Sequence, residues 1–294
     1  MSSLFCFGFG YSAQALAERA QTWGGWTVQG TSTTLAGARK IAALGHRSFV
    51  VDGEVYTPGI VGALMRATHV LVSAPPGPGG DPILGQFDWV LANCPSITWI
   101  GYLSTIGVYG DWSGAWVDER CELRPQSERS RRRTEAEAAW QAMGRKSGKR
   151  VLIFRLAGIY GPGRSAIDTV LDGSARRIVK PGQVFNRIHR DDIAGALEAS
   201  IQGTPRHSIY NVTDDQPAPA QDVVAYAAEL LGRPVPPELP FEAAALTPMG
   251  ASFYAENKRA SNARAKDDLN WRLRYPTYRE GLAAIAAKVA AKTG

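Results

Sequence analysis

Cysteine is scarce in this sequence. It has three in 294 residues, Cys6, Cys94 and Cys121, far apart and with no C-x-x-C pair. An odd, scattered set excludes a disulfide framework and a cysteine-bound zinc, and it makes a reducing cytoplasm the expected compartment. Cys6, inside an apolar run, reads as a small core residue. Long apolar runs are missing too. None approaches the ~18 residues of a membrane-spanning helix, so no membrane partner is expected. The opening "MSSLFCFGFGYSAQ" lacks a basic n-region, and its apolar run breaks at Gly8, so it does not read as a signal peptide. Histidines number four, and no His/Asp/Glu set has metal-ligand spacing, so no metal site is expected. A G-x-S-x-G nucleophile elbow is absent as well. Acids are in deficit, 27 against 33 lysines and arginines, for a net charge of +6. Much of the excess lies in "RSRRR" (129–133) and "RKSGKR" (145–150). Such runs can bind nucleic acid or phosphorylated ligands. No aromatic residues interleave them for base stacking and no nucleic-acid motif is present, so a solvated helix face is preferred over a nucleic-acid partner.

What is present is a regular alternation. "SLFCFG", "WTVQGTS", "SFVVD", "THVLVSAP", "ITWIGYLS" and "RVLIFRLAGIYG" read as strands. Between them "AQALAERAQTW", "LAGARKIAALG", "PGIVGALMRA", "GQFDWVLANC" and a long segment from about 126 to 143 read as helices. Alternation of this kind implies an α/β fold, a Rossmann-like doubly wound parallel sheet with helices on both faces. Beyond residue 160 the pattern loosens. "SAIDTVLDGSARRIV", "IHRDDIAGALEASIQ", "PAPAQDVVAYAAELLG" and the C-terminal "YPTYREGLAAIAAKVAAKTG" read as helices, "SIYNVTD" as a strand, and the Pro-rich "GRPVPPELP" as a linker or lobe surface. Residues 1–160 are expected to form the dinucleotide-binding domain, with 188–213 returning to it. A smaller substrate lobe is expected mainly from 161–187 and 214–294.

The first strand–turn–helix carries Gly8-Phe9-Gly10-Tyr11-Ser12-Ala13, a G-x-G-x-x-A. Gly8 suits the tight turn, Gly10 lets backbone approach a pyrophosphate, and Ala13 lets helix and strand pack closely. The helix start then offers free N–H groups, from Tyr11 and Ser12 onward, to the phosphates. About 20 residues further on, NAD-preferring sites place an acid. Here "GTSTTLAGARK" offers Thr31, Ser32, Thr33 and Thr34, then Arg39 and Lys40, and no acid. Hydroxyls and cations suit a 2′-phosphate, so NADP is expected, with NAD the alternative. Asp52 is placed to meet the adenine side, and Ser73 ends the strand beside the loop. The plain alternatives are a ligand-free Gly turn and two ordinary exposed cations.

"LSTIGVYGD" (103–111), "FRLAGIYGPGR" (154–164), "NRIHRDDIAGAL" (186–197) and "YNVTDDQP" (210–217) follow the Gly loop in order. Together they closely resemble the extended short-chain dehydrogenase/reductase superfamily, the NAD-dependent epimerase/dehydratase family. "SAPPGPGGDP" and "ENKRASNARAKDDLNW" look like its atypical subgroup. The resemblance covers nearly the whole chain. It implies a Rossmann domain with a small C-terminal substrate lobe, and a substrate-orienting Ser or Thr that ends the strand carrying "LST". It also implies a Tyr-x-x-x-Lys pair on the next helix, and a homodimer, which the 129–133 run could oppose by repulsion.

Carried over residue by residue, the hydroxyl role falls on Thr105, with Ser104 beside it. Glu137 in "AEAAW" matches the family's glutamate after the lysine. Counting back places Arg133 at the lysine and Arg129 at the tyrosine. Arg133 can still hold a ribose or phosphate. A guanidinium at 129 cannot replace a phenol, because it stays protonated at all working pH values. The family's proton transfer therefore lacks its usual carrier. Tyr109, Asp111, Asp118 and Glu119, in the loop after Thr105, are the expected substitutes by location. The sequence holds one Tyr-x-x-x-Lys, Tyr254 and Lys258, far past the expected helix, and its match is to a substrate-lobe segment. Tyr160 and Arg164 are expected to shape the pocket, and His189 to be structural. The preferred reading is an NADP-dependent oxidoreductase or epimerase on a small polar or sugar-like substrate. The alternative is a non-catalytic NAD(P)-binding sensor or interaction protein.

Overall fold

Seven strands form one sheet in the computed structural model, which describes residues 2–52 and 57–293. They are β1 (Ser2–Phe7), β2 (Trp26–Ser32), β3 (Arg47–Val50), β4 (His69–Val72), β5 (Trp99–Thr105), β6 (Val151–Leu156) and β7 (Ile209–Val212). Their order is β7-β6-β5-β4-β1-β2-β3, and every neighbouring pair is parallel. The chain therefore reverses its direction of travel across the sheet between β1 and β4. That is the switch point at which open α/β sheets leave a crevice beyond the strand ends.

The sheet is covered on both faces, as an all-parallel sheet requires. Side-chain alternation in β1 shows this directly. Leu4 and Cys6 enter one core with Leu16, Ile193 and Leu197, under α1 (Tyr11–Ala20) and α7 (Arg190–Gln202). Phe5 and Phe7 enter the opposite core with Ile60, Phe87 and Trp140. That core lies under α3 (Ile60–Leu64), α4 (Pro82–Asn93) and α5 (Glu128–Ser147), while α2 (Leu35–Ala43) flanks β2 and β3. A third, separate cluster joins α6 (Ala166–Leu171), α8 (Ala220–Leu230) and the final helix, Tyr278–Thr293, through residues such as Ile167, Ala227 and Leu282. The stretch from Ala260 to Trp271 packs into the first core, so the lobe is not one continuous piece of chain after β7.

Three local readings change. The α5 helix starts at Glu128, two residues later than expected, because Ser127 caps it by accepting from the Ser130 N–H. It runs on to Ser147, where Gly148 takes a left-handed φ of 70°. The segment read as one helix from 165 stops at Leu171, and Gly173 (φ 77°) turns the chain. Arg177–Val179 then forms a short strand paired with Glu238–Pro240, inside the stretch read as a linker. Among the described residues no helix is long and apolar enough to cross a membrane.

Candidate functional site

The Gly8–Ala13 loop lies at the switch point between β1 and α1. Gly8 adopts a φ of 80°, and a Cβ there would press on Ser73 Oγ at 3.0 Å and the Ala74 nitrogen at 3.1 Å. Protein structure alone explains it. Gly8 N–H donates to Thr31 Oγ1 (2.9 Å), and Ser73 Oγ donates to the Gly8 carbonyl (2.6 Å). Gly10 differs: a Cβ there would meet no protein atom within 4 Å, and its φ of −82° suits any residue. The open space above Gly10 is what a pyrophosphate fills. The start of α1 has no side-chain cap and no acid in its first turn, so its leading N–H groups remain for an anion. The loop thus fits a dinucleotide.

Other expected cofactor residues are placed around this loop. Tyr11 donates its hydroxyl to the Pro162 carbonyl (2.9 Å), tying the loop to the turn after β6. Thr31 is buried and serves the loop, not a ribose. Ser32 Oγ accepts from the Thr34 N–H, and Thr34 caps α2. Arg39 and Lys40 are exposed on α2, and Asp52 is exposed just past β3, beside the end of β2. None of these last three lines the main cleft.

The cleft has a volume of about 630 Å³ and opens over the C-terminal ends of β1, β4, β5 and β6. Helix α5 forms one wall. Arg129, Ser130 and Arg133 all line it, which puts the two arginines where the sequence count placed them. Arg133 is partly used: its Nη1 donates to the Leu103 carbonyl (2.5 Å) and the Tyr102 hydroxyl (3.1 Å). A guanidinium carries five donors, so others remain for a ribose. Arg131 and Arg132 both pair with Glu128, whereas Arg129 makes no hydrogen bond or ion pair with any described residue. Thr105 lines the cleft and accepts the Gly107 N–H at 3.0 Å, which leaves its own proton free to donate. Ser130, buried beside Gly107, accepts from Ser127 Oγ (2.9 Å).

None of the expected substitutes for the tyrosine lines the cleft. Tyr109 is corrected outright: it is 0% exposed and does not line the cleft. Its hydroxyl donates to Asn211 Oδ1 (2.8 Å) and accepts from Arg155 (2.9 Å), and burial pushes its pKa up to about 12. Ser104 touches the cleft, but its hydroxyl donates to Glu137 (2.5 Å). Glu137 in turn takes Arg155 in a buried two-point ion pair with a closest approach of 2.7 Å. Ser104, Glu137, Arg155, Tyr109 and Asn211 are therefore one satisfied network under the wall. Asp111 accepts from Ser113 and Asn257 N–H groups, Asp118 pairs with Arg120, and buried Glu119 accepts from Asn211 N–H. His189 caps its helix as a neutral acceptor, and burial holds its pKa down to about 4.

The opposite wall was not foreseen. The helix α9 (Pro248–Tyr254) and the extended chain after it bring Met249, Ser252, Phe253, Glu256 and Lys258 to the cleft. Tyr254 points the other way, packed between Phe185 and Phe241. The lone Tyr-x-x-x-Lys is thus split: the lysine is at the site and the tyrosine is not. Lys258 Nζ is buried, donating to Glu256 Oε2 (2.6 Å) and to the Gly110 carbonyl (2.7 Å). The i, i+2 spacing in "ENK" is the signal that could have found this pair, since an extended chain puts both residues on one side.

No protein-family model matches the chain. It is 46% identical to a functionally unknown conserved protein from Silicibacter pomeroyi, with a TM-score of 0.88 over 98% of this chain and 99% of that one. Protein YeeZ of Escherichia coli K12 is 30% identical over 247 residues, covering 79% of this chain and 85% of YeeZ. A 3-diazoavenalumate denitrifying reductase from a Streptomyces species is 34% identical over 142 residues. That match spans 45% of each, less than half the reductase's length. A solved protein from Methylobacillus flagellatus, assigned to the NAD-dependent epimerase/dehydratases, is 26% identical with a TM-score of 0.70, over 98% of each chain. UDP-glucuronic acid 4-epimerase of Bacillus cereus, solved with NAD, shares the fold at 16% identity and a TM-score of 0.76, over 98% of this chain and 99% of that one.

Proposed function

We propose that the chain is a member of the NAD-dependent epimerase/dehydratase family, whose fold it shares, and an NADP-dependent oxidoreductase or epimerase acting on a small polar substrate in the cleft. When bound, the nicotinamide supplies or takes up a hydride. The chain's own residues must then bind, orient and move a proton. The Gly8–Ala13 loop and the start of α1 hold the pyrophosphate, and Arg133 grips the ribose with the donors that Leu103 leaves over. Thr105 directs its free proton to the substrate oxygen.

The observation that carries an enzymatic reading over a sensor is the Glu256–Lys258 pair. An ammonium has three donors, and two are committed, to Glu256 and to Gly110. The third belongs to a side chain lining the cleft. In the reducing direction Lys258 would give a proton to the substrate oxygen. Water then restores the proton. A guanidinium cannot do this, so Arg129 is not the carrier.

The preference for NADP rests on Thr31–Thr34 and the two cations of α2. Titrating the purified protein with NADPH and with NADH, read by tryptophan fluorescence, tests it. NADPH is expected to bind at micromolar levels and about tenfold or more tighter than NADH. Tighter NADH binding overturns the NADP assignment, and no binding of either overturns the enzyme and the sensor readings together.

A further inference from the structure

The cleft's lining carries four cationic side chains, Arg129, Arg133, Arg164 and Lys258, against one carboxylate, Glu256. Three of the four have work already. Lys258 is neutralised by Glu256, and Arg133 is bonded to Leu103 and Tyr102. Arg164 lies over the Tyr11 ring at the dinucleotide loop, 6.0 Å from its centroid. Arg129 remains. It sits in the first turn of α5, next to Ser130 and so close to Gly107 and Thr105. It makes no hydrogen bond or ion pair with any described residue, while its neighbours at 131 and 132 both have Glu128.

The facing wall is apolar where α9 forms it, at Met249 and Phe253, and polar beyond, at Glu256 and Lys258. Met249 and Phe253 are one helical turn apart on α9, and both line the cleft. They are 64% and 55% exposed, although Tyr254 on the opposite side of the same helix is buried. Two large apolar side chains left in water at the mouth of a cleft are unfavourable unless something covers them. A cation with no partner and an uncovered apolar face across one cavity describe a single ligand with two ends.

We propose that the substrate is an amphipathic carboxylate, its carboxylate held by the guanidinium of Arg129 and its flat apolar body lying against Met249 and Phe253. This rests on the reading of the cleft as an NADP-dependent active site. One free guanidinium presents one two-pronged fork, which matches a carboxylate. A phosphate dianion calls for a second cation, and the donors that Arg133 has left are those assigned to the ribose. A neutral sugar leaves Arg129 without a counter-charge. The arginine at the family's tyrosine position is then a substrate anchor beside Thr105, and it fixes which end of the substrate faces the hydroxyl.

The test is calorimetric titration of the NADP-loaded protein with 3-phenylpropionate, its amide, phenyl phosphate and propionate. The phenylpropionate is expected to bind about tenfold or more tighter than the amide and than propionate. Arg129→Gln is expected to erase the acid-over-amide preference. The double change Met249→Ser with Phe253→Ser is expected to erase the preference for phenylpropionate over propionate. Both variants should keep the wild-type affinity for NADP, which shows that they fold. Equal binding of acid and amide to the wild type, or an unchanged preference in Arg129→Gln, overturns the proposal. Tighter binding of phenyl phosphate than of the carboxylate overturns the choice of anion. If the wild type binds NADP and fails these comparisons, this inference alone falls. If it binds no NADP, the functional reading falls first and takes this one with it.

Discussion

The two walls of the cleft hold cations for opposite reasons. On the α5 wall, Arg129 and Arg133 are permanent charges that can bind and orient but never give up a proton. On the lobe wall, Lys258 is a buried ammonium locked to Glu256 and Gly110. Ammonium is the kind of cation that can donate. Comparing the two walls resolves what first looks like a lost active site. On the function proposed above, binding stays on the helix where the family keeps its acid, and proton supply moves to the lobe. In the family's arrangement one helix does both.

The comparison can be broken from beneath the α5 wall. Glu137→Leu leaves the Arg155 guanidinium buried and unpaired, and it also strips Ser104 of its acceptor. A cost of about 3–5 kcal/mol is expected, measured by chemical denaturation, because removing one member of a buried pair strands the other. A loss below ~1 kcal/mol would mean that the network does not hold the wall.

A smaller effect separates ligand from scaffold within the Gly loop. Gly10→Val adds atoms where no protein atom lies within 4 Å. The denaturation midpoint should therefore hold, while NADPH affinity falls by about a hundredfold, since the backbone approach is blocked. Gly8→Ala should do the reverse first and lower stability, because Gly8 has a φ of 80° and Ser73 in contact. If Gly10→Val binds NADPH as the wild type does, the space above Gly10 is not the pyrophosphate site.

The smallest effect is on pH dependence, away from both walls. Burial pushes the Asp214 carboxyl up to about 8, Arg187 offsets only part of that, and its Oδ2 has no hydrogen-bond partner. The folded chain thus keeps a proton that the unfolded chain loses near its ordinary value of 3.8. This contribution to stability is full below that value and is lost as pH rises through about 8. His189, held down to about 4 by burial, acts in the opposite sense below its ordinary 6.5. Asp214 is therefore isolated between pH 6.5 and 8. Asp214→Asn should flatten the fall of the denaturation midpoint across that window, and an unchanged slope would count against a protonated Asp214.

Much of this was legible in the sequence, and the division is physical. Strands buried on both faces and helices with period-3.6 patterns announce a doubly wound sheet, and G-x-G-x-x-A announces the loop, because both signals are local. The count back from Glu137 placed Arg129 and Arg133 correctly on α5, since a helix keeps its spacing. Tyr109 failed because position in a loop says nothing about direction: Asn211 and Arg155, far along the chain, turn it inward. The lobe wall failed for the same reason. Lys258 meets Gly110 across 148 residues of sequence; the spacing in "ENK" pairs the lysine with Glu256 but does not tell that the pair faces the cleft while Tyr254 packs on Phe185.

One substitution separates Lys258 as proton carrier from Lys258 as a structural cation. Lys258→Arg keeps the charge, the donors and the partners Glu256 and Gly110, but it cannot release a proton. On a carbonyl substrate that the wild type reduces, followed by NADPH oxidation, the account predicts a turnover lower by about 10²–10⁴-fold. NADPH affinity and denaturation midpoint should stay at wild-type values. A variant that turns over within about twofold of the wild type would contradict the claim, since a general acid is worth far more than that, and would leave Lys258 as an anchor for the Gly110 loop.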